Sequence, residues 1–260
     1  MRTDAASAGI AKADLIEGLA KGIAVLESFD TERQRLNITL AAQRAGISRA
    51  AARRQLLTLA WLGYLETDGS HYWLSPRVLR FSGSYLASAR LPRLVQPTLN
   101  RLATQTREWF SVAVLDEREV VIVARSGVYE AAAPSPSTTL LRAYGVHLGA
   151  RLPAHATSTG RVLLAALDAK ALGRWLAECP LPRLTPRTTT DAARRDDHCL
   201  ASEEHELGMM ALAVPLRNMR GDTVAALNVV TSPVRLQRVA ARREMLALLD
   251  AAALELRGSL

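Results

Sequence analysis

The residues with the clearest chemical meaning are seven arginines that lie between positions 35 and 80. Only two acids, Glu66 and Asp68, accompany them, so this stretch carries a local charge of +5, seven minus two. Arginine binds phosphate and the major-groove edge of guanine through paired hydrogen bonds. The net charge of +8 for the whole chain is weaker evidence, because an alanine- and arginine-rich composition also produces it. The local excess predicts a surface that contacts nucleic acid.

Residues that could bind a metal or catalyse a reaction form no recognisable motif. The spacings of the metal-ligand candidates match no zinc site: they are His147, His155, His198, Cys199 and His205. His155 and Ser158 have the types of a base and a nucleophile, but the chain has no Gly-x-Ser-x-Gly turn and no identifiable third member. It also lacks a glycine-rich nucleotide motif. We therefore expect no catalytic residue, no metal and no cofactor.

A helix-turn-helix is predicted where the arginines are most concentrated. We expect a short helix over residues 40–45, a turn at Gly46 and a longer helix from Ser48 to about residue 62. Ser48 is a good N-cap, and Gly46 can adopt the positive φ of a tight turn. The second helix of such a motif enters the major groove by its N-terminal half. The predicted DNA-binding residues are Ser48, Arg49, Ala50, Arg53 and Arg54.

A hairpin and a further helix are predicted after this motif. Residues 64–67 and 71–74 have strand character and flank an Asp-Gly turn. The hairpin is either a wing that contacts DNA or a cover for the hydrophobic core. Ser75 and Pro76 are typical of a helix start, and we interpret the helix to about residue 89 as a linker that ends at Leu91 and Pro92.

The remaining sequence alternates between strand and helix patterns. Helices are expected over 15–29, 94–108, 157–167 and 236–256, and strands over 111–115, 120–124, 138–144, 209–216 and 223–230. The mixture indicates an α+β fold, with helices on an antiparallel sheet. No apolar run approaches the ~20 residues that span a bilayer. Two cysteines are too few for a disulfide framework, so a cytoplasmic protein is expected.

Six sequence blocks resemble the IclR family of bacterial transcription regulators. In the N-terminal part they are GIAVLESF at 22–29, AGISRAAARR at 45–54 and LGYL at 62–65. In the C-terminal part they are RLPAHATSTGRVLLA at 151–165, LTPRT at 184–188 and EEHELG at 203–208. Their order is more specific than a helix-turn-helix alone. The PAHATS segment is similar to that of members that regulate aromatic-acid catabolism, typically of protocatechuate or hydroxybenzoate.

The resemblance implies a winged helix-turn-helix, a linker helix and a GAF-like effector domain. It also implies a homodimer or homotetramer that binds palindromic promoter DNA. We accordingly expect a DNA-binding domain over 15–75, a linker helix over 76–90 and an effector-binding domain over 91–260. Residues 1–14 are small, polar and alanine-rich, so we expect a disordered tail there. In one departure, only residues 192–198 separate Asp191 from Cys199. Family members usually have a longer helical stretch there, so we expect that side of the domain to be shortened or rearranged.

The resemblance also places a small carboxylate effector between the start of a helix and the sheet. Ser158, Thr159 and Gly160 open that helix, and their N–H groups and hydroxyls suit a carboxylate. Asn228 interrupts an apolar strand and either binds the effector or faces solvent. Arg151 is either a counter-ion for the acid or a surface residue. Matching of motifs adds five lining residues: Leu141, Tyr144, Met209, Ala211 and Val230.

Two classes of function fit these observations. The first is a transcription regulator that responds to an aromatic acid such as protocatechuate or 4-hydroxybenzoate. The alternative is a small-molecule sensor or hydrolase-like enzyme domain whose N-terminal helical module serves dimerisation. The arginine-rich second helix favours the regulator.

Overall fold

The structure is a computed structural model that describes residues 11–30, 33–126, 147–179, 184–202 and 208–260. The chain divides into two compact units, Met1–Tyr85 and Leu86–Leu260. In the described residues, no helix is long and apolar enough to span a membrane. The predicted strand at 138–144 lies outside the described residues.

Among its described residues, the first unit has three α-helices followed by a small hairpin. The helices are α1 (Glu17–Leu26), α2 (Ile38–Ala45) and α3 (Arg49–Trp61), and strands β1 (Leu65–Thr67) and β2 (Tyr72–Leu74) pair antiparallel. Their buried core includes Val25, Leu36, Ala41, Leu56, Leu59 and Tyr72. The packing therefore fixes which side of α3 points outward.

Local sequence explains how α2 and α3 are joined. The Asn37 side chain accepts a hydrogen bond from the backbone of Leu40 and caps α2. Gly46 ends α2 with a φ of 62°, the left-handed conformation that favours glycine. Ser48 Oγ accepts a hydrogen bond of 3.2 Å from the Ala51 amide and caps α3. The predicted helix-turn-helix is confirmed, with α2 beginning two residues earlier than expected.

The segment after β2 is bonded to the C-terminal end of α3. Ser75 Oγ donates to the Gly63 carbonyl at 2.5 Å, and the Arg77 guanidinium donates to the Leu62 carbonyl at 2.6 Å. Gly63 has a φ of 79°, and a Cβ there would lie 2.8 Å from Arg77 Nη1. A short 3₁₀ helix over Pro76–Val78 leads into α4 (Leu79–Ser88).

The second unit is built on a six-stranded antiparallel sheet with the order β5-β4-β3-β8-β7-β6. Its described strands are β3 (Trp109–Asp116), β4 (Glu119–Arg125), β5 (Arg151–Pro153), β6 (Cys199–Ser202), β7 (Met210–Arg217) and β8 (Thr223–Thr231). Its described helices are α5 (Arg90–Thr106), α6 (Ser158–Ala165), α7 (Ala169–Glu178), α8 (Leu184–Asp196), α9 (Pro233–Leu236) and α10 (Val239–Arg257). The expected α+β fold is confirmed.

Helices cover both faces of this sheet. On one face, Leu99 of α5 and Leu249 of α10 share a core with Phe110, Leu212 and Leu227. On the other, Val162 and Leu164 of α6 pack with Ala113, Ala213 and Ala226, which lie on the adjacent inner strands β3, β7 and β8. Since side chains alternate along a strand, the second set defines which residues face α6.

Several predicted boundaries were wrong. The break before α5 falls at Ala89 and not at Leu91 and Pro92, because Pro92 is accommodated in the first turn of α5, where its missing N–H costs no helical bond. The last long helix begins at Val239 and not at residue 236, since α9 precedes it. The short stretch after Asp191 continues α8 to Asp196, and Thr190 and Ala193 are buried. A helix therefore occupies that side of the unit.

Candidate functional site

Helix α3 presents a cationic face that the rest of its unit leaves uncovered. Arg49, Ala50, Arg53 and Arg54 are exposed, whereas Ala51, Ala52, Leu56 and Leu59 are buried. The guanidinium groups of Arg49, Arg53 and Arg54 form no hydrogen bond or ion pair with any residue that the structure describes. Ser48 is exposed at the N-terminus of the helix, where free N–H groups favour an anion.

Three other arginines of the same unit form hydrogen bonds or ion pairs with residues of that unit. Arg35 pairs with Asp68 at 2.7 Å and lies over the Trp73 ring at 4.3 Å. Arg44 binds the Ser28 carbonyl and pairs with Asp30. Arg77 binds the Leu62 carbonyl. Six of the seven arginines therefore separate into three structural residues and the unpaired set on α3, and the seventh, Arg80, is exposed on α4.

The turn of the hairpin is held by an acid. Asp68 accepts hydrogen bonds from the backbone amides of His71 and Ser70, and these bonds, with the Ser70 hydroxyl and Arg35, hold the pKa of the Asp68 carboxyl well below its usual range. Trp73 Nε1 donates to Glu66 at 2.9 Å. The two acids of the hairpin are therefore engaged in shaping it.

A second candidate site lies at the N-terminus of α6. Thr157 caps this helix by accepting a hydrogen bond of 3.1 Å from the Gly160 amide. Ser158 is 1% exposed, and its Oγ atom has no hydrogen-bond partner among the residues that the structure describes. A buried hydroxyl without a partner costs about 1–3 kcal/mol. A buried hydroxyl at a helix N-terminus has the chemistry to donate a hydrogen bond to a carboxylate.

Gly160 has a packing role in the same turn. A Cβ at this position would lie 2.1 Å from the Ala154 carbonyl oxygen and 2.4 Å from its Cα. The close approach of the 3₁₀ helix Ala154–Ala156 to α6 therefore requires glycine. Gly160 therefore lies at the predicted site, but the side of Gly160 on which a Cβ would stand faces the backbone of Ala154.

The sheet face beneath α6 combines small, apolar and polar side chains. Asn228 is buried and accepts a hydrogen bond of 2.5 Å from Ser111 Oγ. The amide nitrogen of Asn228 has no partner among the described residues. Ala211 and Val230 are partners in the next row of the β7–β8 register, on the same face. The predicted solvent-facing alternative for Asn228 is therefore wrong.

Other predicted lining residues have different outcomes. Arg151 is exposed on β5, and its guanidinium pairs with Asp116 at 2.7 Å and Glu119 at 2.6 Å. Desolvation is the largest single effect and lowers the pKa of the Arg151 guanidinium. The hydrogen bonds and charges of Glu119 and Asp116 together outweigh it, so the pKa is raised. Met209 is buried just before β7. Leu141 and Tyr144 lie outside the described residues.

The sequence prediction missed three residues on the α6 face. Ser111 faces Asn228, Trp109 pairs with Val230 in the β3–β8 register, and Arg125 lies over the Trp109 ring at 5.1 Å. Burial lowers the pKa of Arg125. Ser111 stands out from an apolar strand as Asn228 does, and this signal was available in the sequence.

Metal-ligating side chains do not come together in the part of the chain that the structure describes. Within those ranges, no group of three His, Cys, Asp or Glu residues is placed to hold a metal ion. His155 is half-buried in the turn before α6; burial and the nearby Arg161 lower the pKa of its imidazole. Its backbone carbonyl accepts a hydrogen bond of 3.0 Å from Arg161 Nε.

Two family models match the chain. The IclR helix-turn-helix domain matches residues 18–69, and the bacterial transcriptional regulator IclR C-terminal model matches residues 83–257. One curated relative, the p-hydroxybenzoate hydroxylase transcriptional activator of Acinetobacter baylyi, is 52% identical over 253 residues, which are 94% of this chain and 92% of that protein.

Two solved structures with similar folds contain hydroxybenzoates. The inducer-binding domain of a PobR double mutant from Acinetobacter, in complex with 3-hydroxybenzoic acid, is 43% identical, with a TM-score of 0.56 over 65% of this chain and 98% of that one. An IclR homologue from Microbacterium hydrocarbonoxydans, in complex with 4-hydroxybenzoate, is 26% identical, with a TM-score of 0.67 over 92% and 97% of the two chains. None of these matches supports the alternative of a sensor or hydrolase-like enzyme.

Proposed function

Because this chain belongs to the IclR family of bacterial transcription regulators, we propose that an aromatic carboxylate controls its action at promoter DNA. The preferred effectors are hydroxylated benzoates such as 4-hydroxybenzoate and protocatechuate. The DNA-binding residues are Ser48, Arg49, Ala50, Arg53 and Arg54, and the protein acts as a regulator in the cytoplasm without catalysing a reaction.

The cationic face of α3 supports DNA binding. Its arginines are exposed and unpaired within the described chain, so they are free to bind phosphates or guanine edges. Arginines that only make a surface soluble could lie anywhere on it, whereas these three share the exposed face of the second helix of a helix-turn-helix. This face is the single observation that carries the proposed function.

The turn before α6 and the sheet face below it support effector binding. The effector carboxylate accepts hydrogen bonds from the Ser158 hydroxyl and from the first-turn N–H groups of Ser158 and Thr159. The Gly160 N–H is bonded to Thr157, so Gly160 contributes the close approach of the backbone. Ala211 and Val230 contact the ring, and the free amide nitrogen of Asn228 donates to a ring hydroxyl. Met209, Leu141 and Tyr144 complete the proposed lining. Arg151 is left out, because two carboxylates already bind its guanidinium.

The proposed division of labour follows the chain order. Residues 15–75 bind DNA, 76–90 form a linker helix and 91–260 bind the effector. Of the predicted tail over 1–14, residues 1–10 lie outside the described residues, and Lys12–Asp14 form a short 3₁₀ helix. A homodimer or homotetramer binds a palindromic operator, because two-fold DNA sites match two-fold protein symmetry. An exposed apolar stripe on and before α1 supports self-association: Leu15, Ile16, Leu19 and Ile23.

A gel-shift experiment tests DNA binding. The full chain is titrated against the intergenic DNA beside its gene and against an unrelated duplex of equal length, at salt concentrations from 50 to 200 mM. We expect specific binding that weakens by orders of magnitude over this range, as six or more phosphate contacts require. Equal binding to both duplexes, or binding independent of salt, overturns the DNA-binding part.

Calorimetry tests the effector separately. The full chain is titrated with 4-hydroxybenzoate, protocatechuate, benzoate and a small oxo-acid. Heat from the hydroxybenzoates, with weaker binding of benzoate, is the expected result. Absence of both heat and thermal shift with every carboxylate overturns the effector assignment and leaves the DNA result standing.

A further inference from the structure

Trp61 is the one tryptophan of this chain that has no polar or aromatic partner among the described residues, which include all four tryptophans. The other three are engaged. Trp73 donates to Glu66 and lies under Arg35, Trp109 lies under Arg125, and Trp175 Nε1 donates to the Glu117 carbonyl at 2.9 Å. Trp61 is 83% exposed, so its indole N–H and both ring faces are open.

Trp61 lies on the same outward side of α3 as Arg54. It is the last residue of the helix, and it follows Leu57 by four positions and Arg54 by seven. Both spacings return to the same side of an α-helix. Leu57 and Leu62 beside it are 43% and 40% exposed. The DNA-facing side of α3 therefore ends in an apolar patch of Leu57, Trp61 and Leu62.

Helix length places this patch beyond the base edges when the N-terminal half of α3 occupies the groove. Thirteen residues extend about 20 Å, whereas the major groove is about 12 Å wide. The last turn of α3 therefore reaches the rim of the groove, where deoxyribose and phosphate form the surface.

We propose that Trp61 is a DNA-positioning residue that contacts the sugar–phosphate backbone at the C-terminal end of α3. Its ring packs on a deoxyribose, and Nε1 donates a hydrogen bond to a phosphate oxygen. The inference rests on the proposed operator binding and adds a contact that carries no base specificity.

The charge of α3 favours DNA over a second copy of this chain. The helix contains three arginines and no acid. In a two-fold contact the same surface meets itself, and this would bring unpaired arginines together. A polyanion matches the same charges, and its deoxyribose offers an apolar surface to the indole.

The test compares Trp61→Phe and Trp61→Ala with the unchanged chain. The probes are a duplex that the unchanged chain selects from a random pool and an unrelated duplex of equal length. We expect Trp61→Phe to weaken binding to both by the same factor, about three- to tenfold, because it removes one hydrogen-bond donor. Trp61→Ala should weaken binding further. Leu254→Ala, at a residue of α10 that is 69% exposed, is the control and should leave both affinities unchanged.

Two further readouts distinguish this contact from other roles. The salt dependence of binding should keep its slope in Trp61→Phe, because the indole is uncharged, whereas Arg54→Ala should lower the slope by about one. Acrylamide should quench the Trp61 fluorescence of the free protein, measured as the difference from Trp61→Phe, and should quench it less in the complex.

Three outcomes overturn the proposal. The first is an unchanged DNA affinity of Trp61→Ala. The second is a loss of affinity for the selected duplex with none for the unrelated duplex. The third is a change of molar mass in light scattering without a change in DNA affinity, which would assign the patch to a contact between copies of this chain. If the unchanged chain selects no duplex, the proposed function fails together with this inference. Circular dichroism checks the fold, and Trp61→Phe serves as the test if Trp61→Ala unfolds.

Discussion

Ser111 on β3 donates a hydrogen bond to Oδ1 of Asn228 on β8, and the Asn228 amide nitrogen has no partner among the described residues. The two side chains lie on the sheet face that α6 covers. Asn228 is therefore a donor whose direction is set by its neighbour.

We expect Asn228→Ala to reduce the preference for hydroxylated benzoates. A site that donates a hydrogen bond to a ligand hydroxyl discriminates against the analogue that lacks it. The ratio of the dissociation constants of benzoate and 4-hydroxybenzoate should fall by about tenfold in calorimetry. Thr223→Ala, at the other end of β8, is the control and should keep the ratio. An unchanged ratio in Asn228→Ala would remove this residue from the effector site.

Ser158→Ala should have opposite effects on stability and on effector binding. Removing a buried hydroxyl without a partner should raise the free energy of unfolding of the effector-free protein by about 1 kcal/mol. The affinity for 4-hydroxybenzoate should fall by about tenfold, because a donor to the carboxylate is lost. Urea unfolding and calorimetry measure the two effects.

The matched control for Ser158 is its neighbour. Thr157→Ala removes the N-cap of α6 and should lower the free energy of unfolding by about 1 kcal/mol. If both variants destabilise the protein equally, Ser158 has a structural partner in solution and its assignment to the effector fails.

Gly160→Ala should strongly destabilise the second unit. The added methyl group would overlap the backbone of Ala154, which cannot move without displacing the turn before α6. We expect a loss of about 3 kcal/mol in urea unfolding. Gly173→Ala should instead gain about 0.5–1 kcal/mol, because a Cβ in this exposed position of α7 meets nothing within 4 Å. Equal effects of the two substitutions would contradict the packing role of Gly160.

Arg53→Ala should weaken operator binding by about tenfold or more and leave effector binding unchanged. The guanidinium is exposed on α3 and forms no ion pair within the described chain, so its loss should not unfold the first unit. Fluorescence anisotropy at a fixed salt concentration measures the DNA affinity. Arg238→Ala, exposed at the start of α10, is the charge-matched control. Equal affinity of both variants would contradict the assignment of α3 as the recognition helix.

His155 should make the protein less stable as the pH falls. Its folded-state pKa is lowered by burial and by Arg161, so the unfolded chain binds a proton first. Stability should therefore decline as the pH falls below about 6.5, the ordinary value for histidine, and level off below the folded-state pKa. Thermal unfolding between pH 7 and pH 5 should show a smaller decline for His155→Asn than for the unchanged chain. A full decline in His155→Asn would contradict this origin.

The sequence was most informative where local chemistry determines the backbone. Gly46, Ser48 and the Asp68–Ser70 turn adopt the predicted conformations because each depends on residues only a few positions away. The resemblance to the IclR family was confirmed by two family models. Helices α7 and α8 and strands β5 and β6 were missed. The two strands were missed because they are short edge strands that depend on the neighbouring strands β4 and β7.

Side-chain partners at the site depended on long-range contacts that spacing does not reveal. The pairing of Arg151 with Asp116 and Glu119 requires β5 to lie beside β4. The bond between Ser111 and Asn228 joins residues 117 positions apart. The unpaired state of the α3 arginines likewise became visible only when the partners of Arg35, Arg44 and Arg77 were known.

The bonds of Ser75 and Arg77 to the carbonyls of Gly63 and Leu62 fix the segment before α4 to the C-terminal end of α3. The segment that leads into α4 cannot change direction without either breaking these bonds or tilting α3. A twist applied at residues 75–77 is therefore delivered to the arginine-bearing helix as a change of angle. Shortening Arg77 alone would leave the Ser75 bond in place, so both side chains would have to be removed to separate the segment from the end of α3.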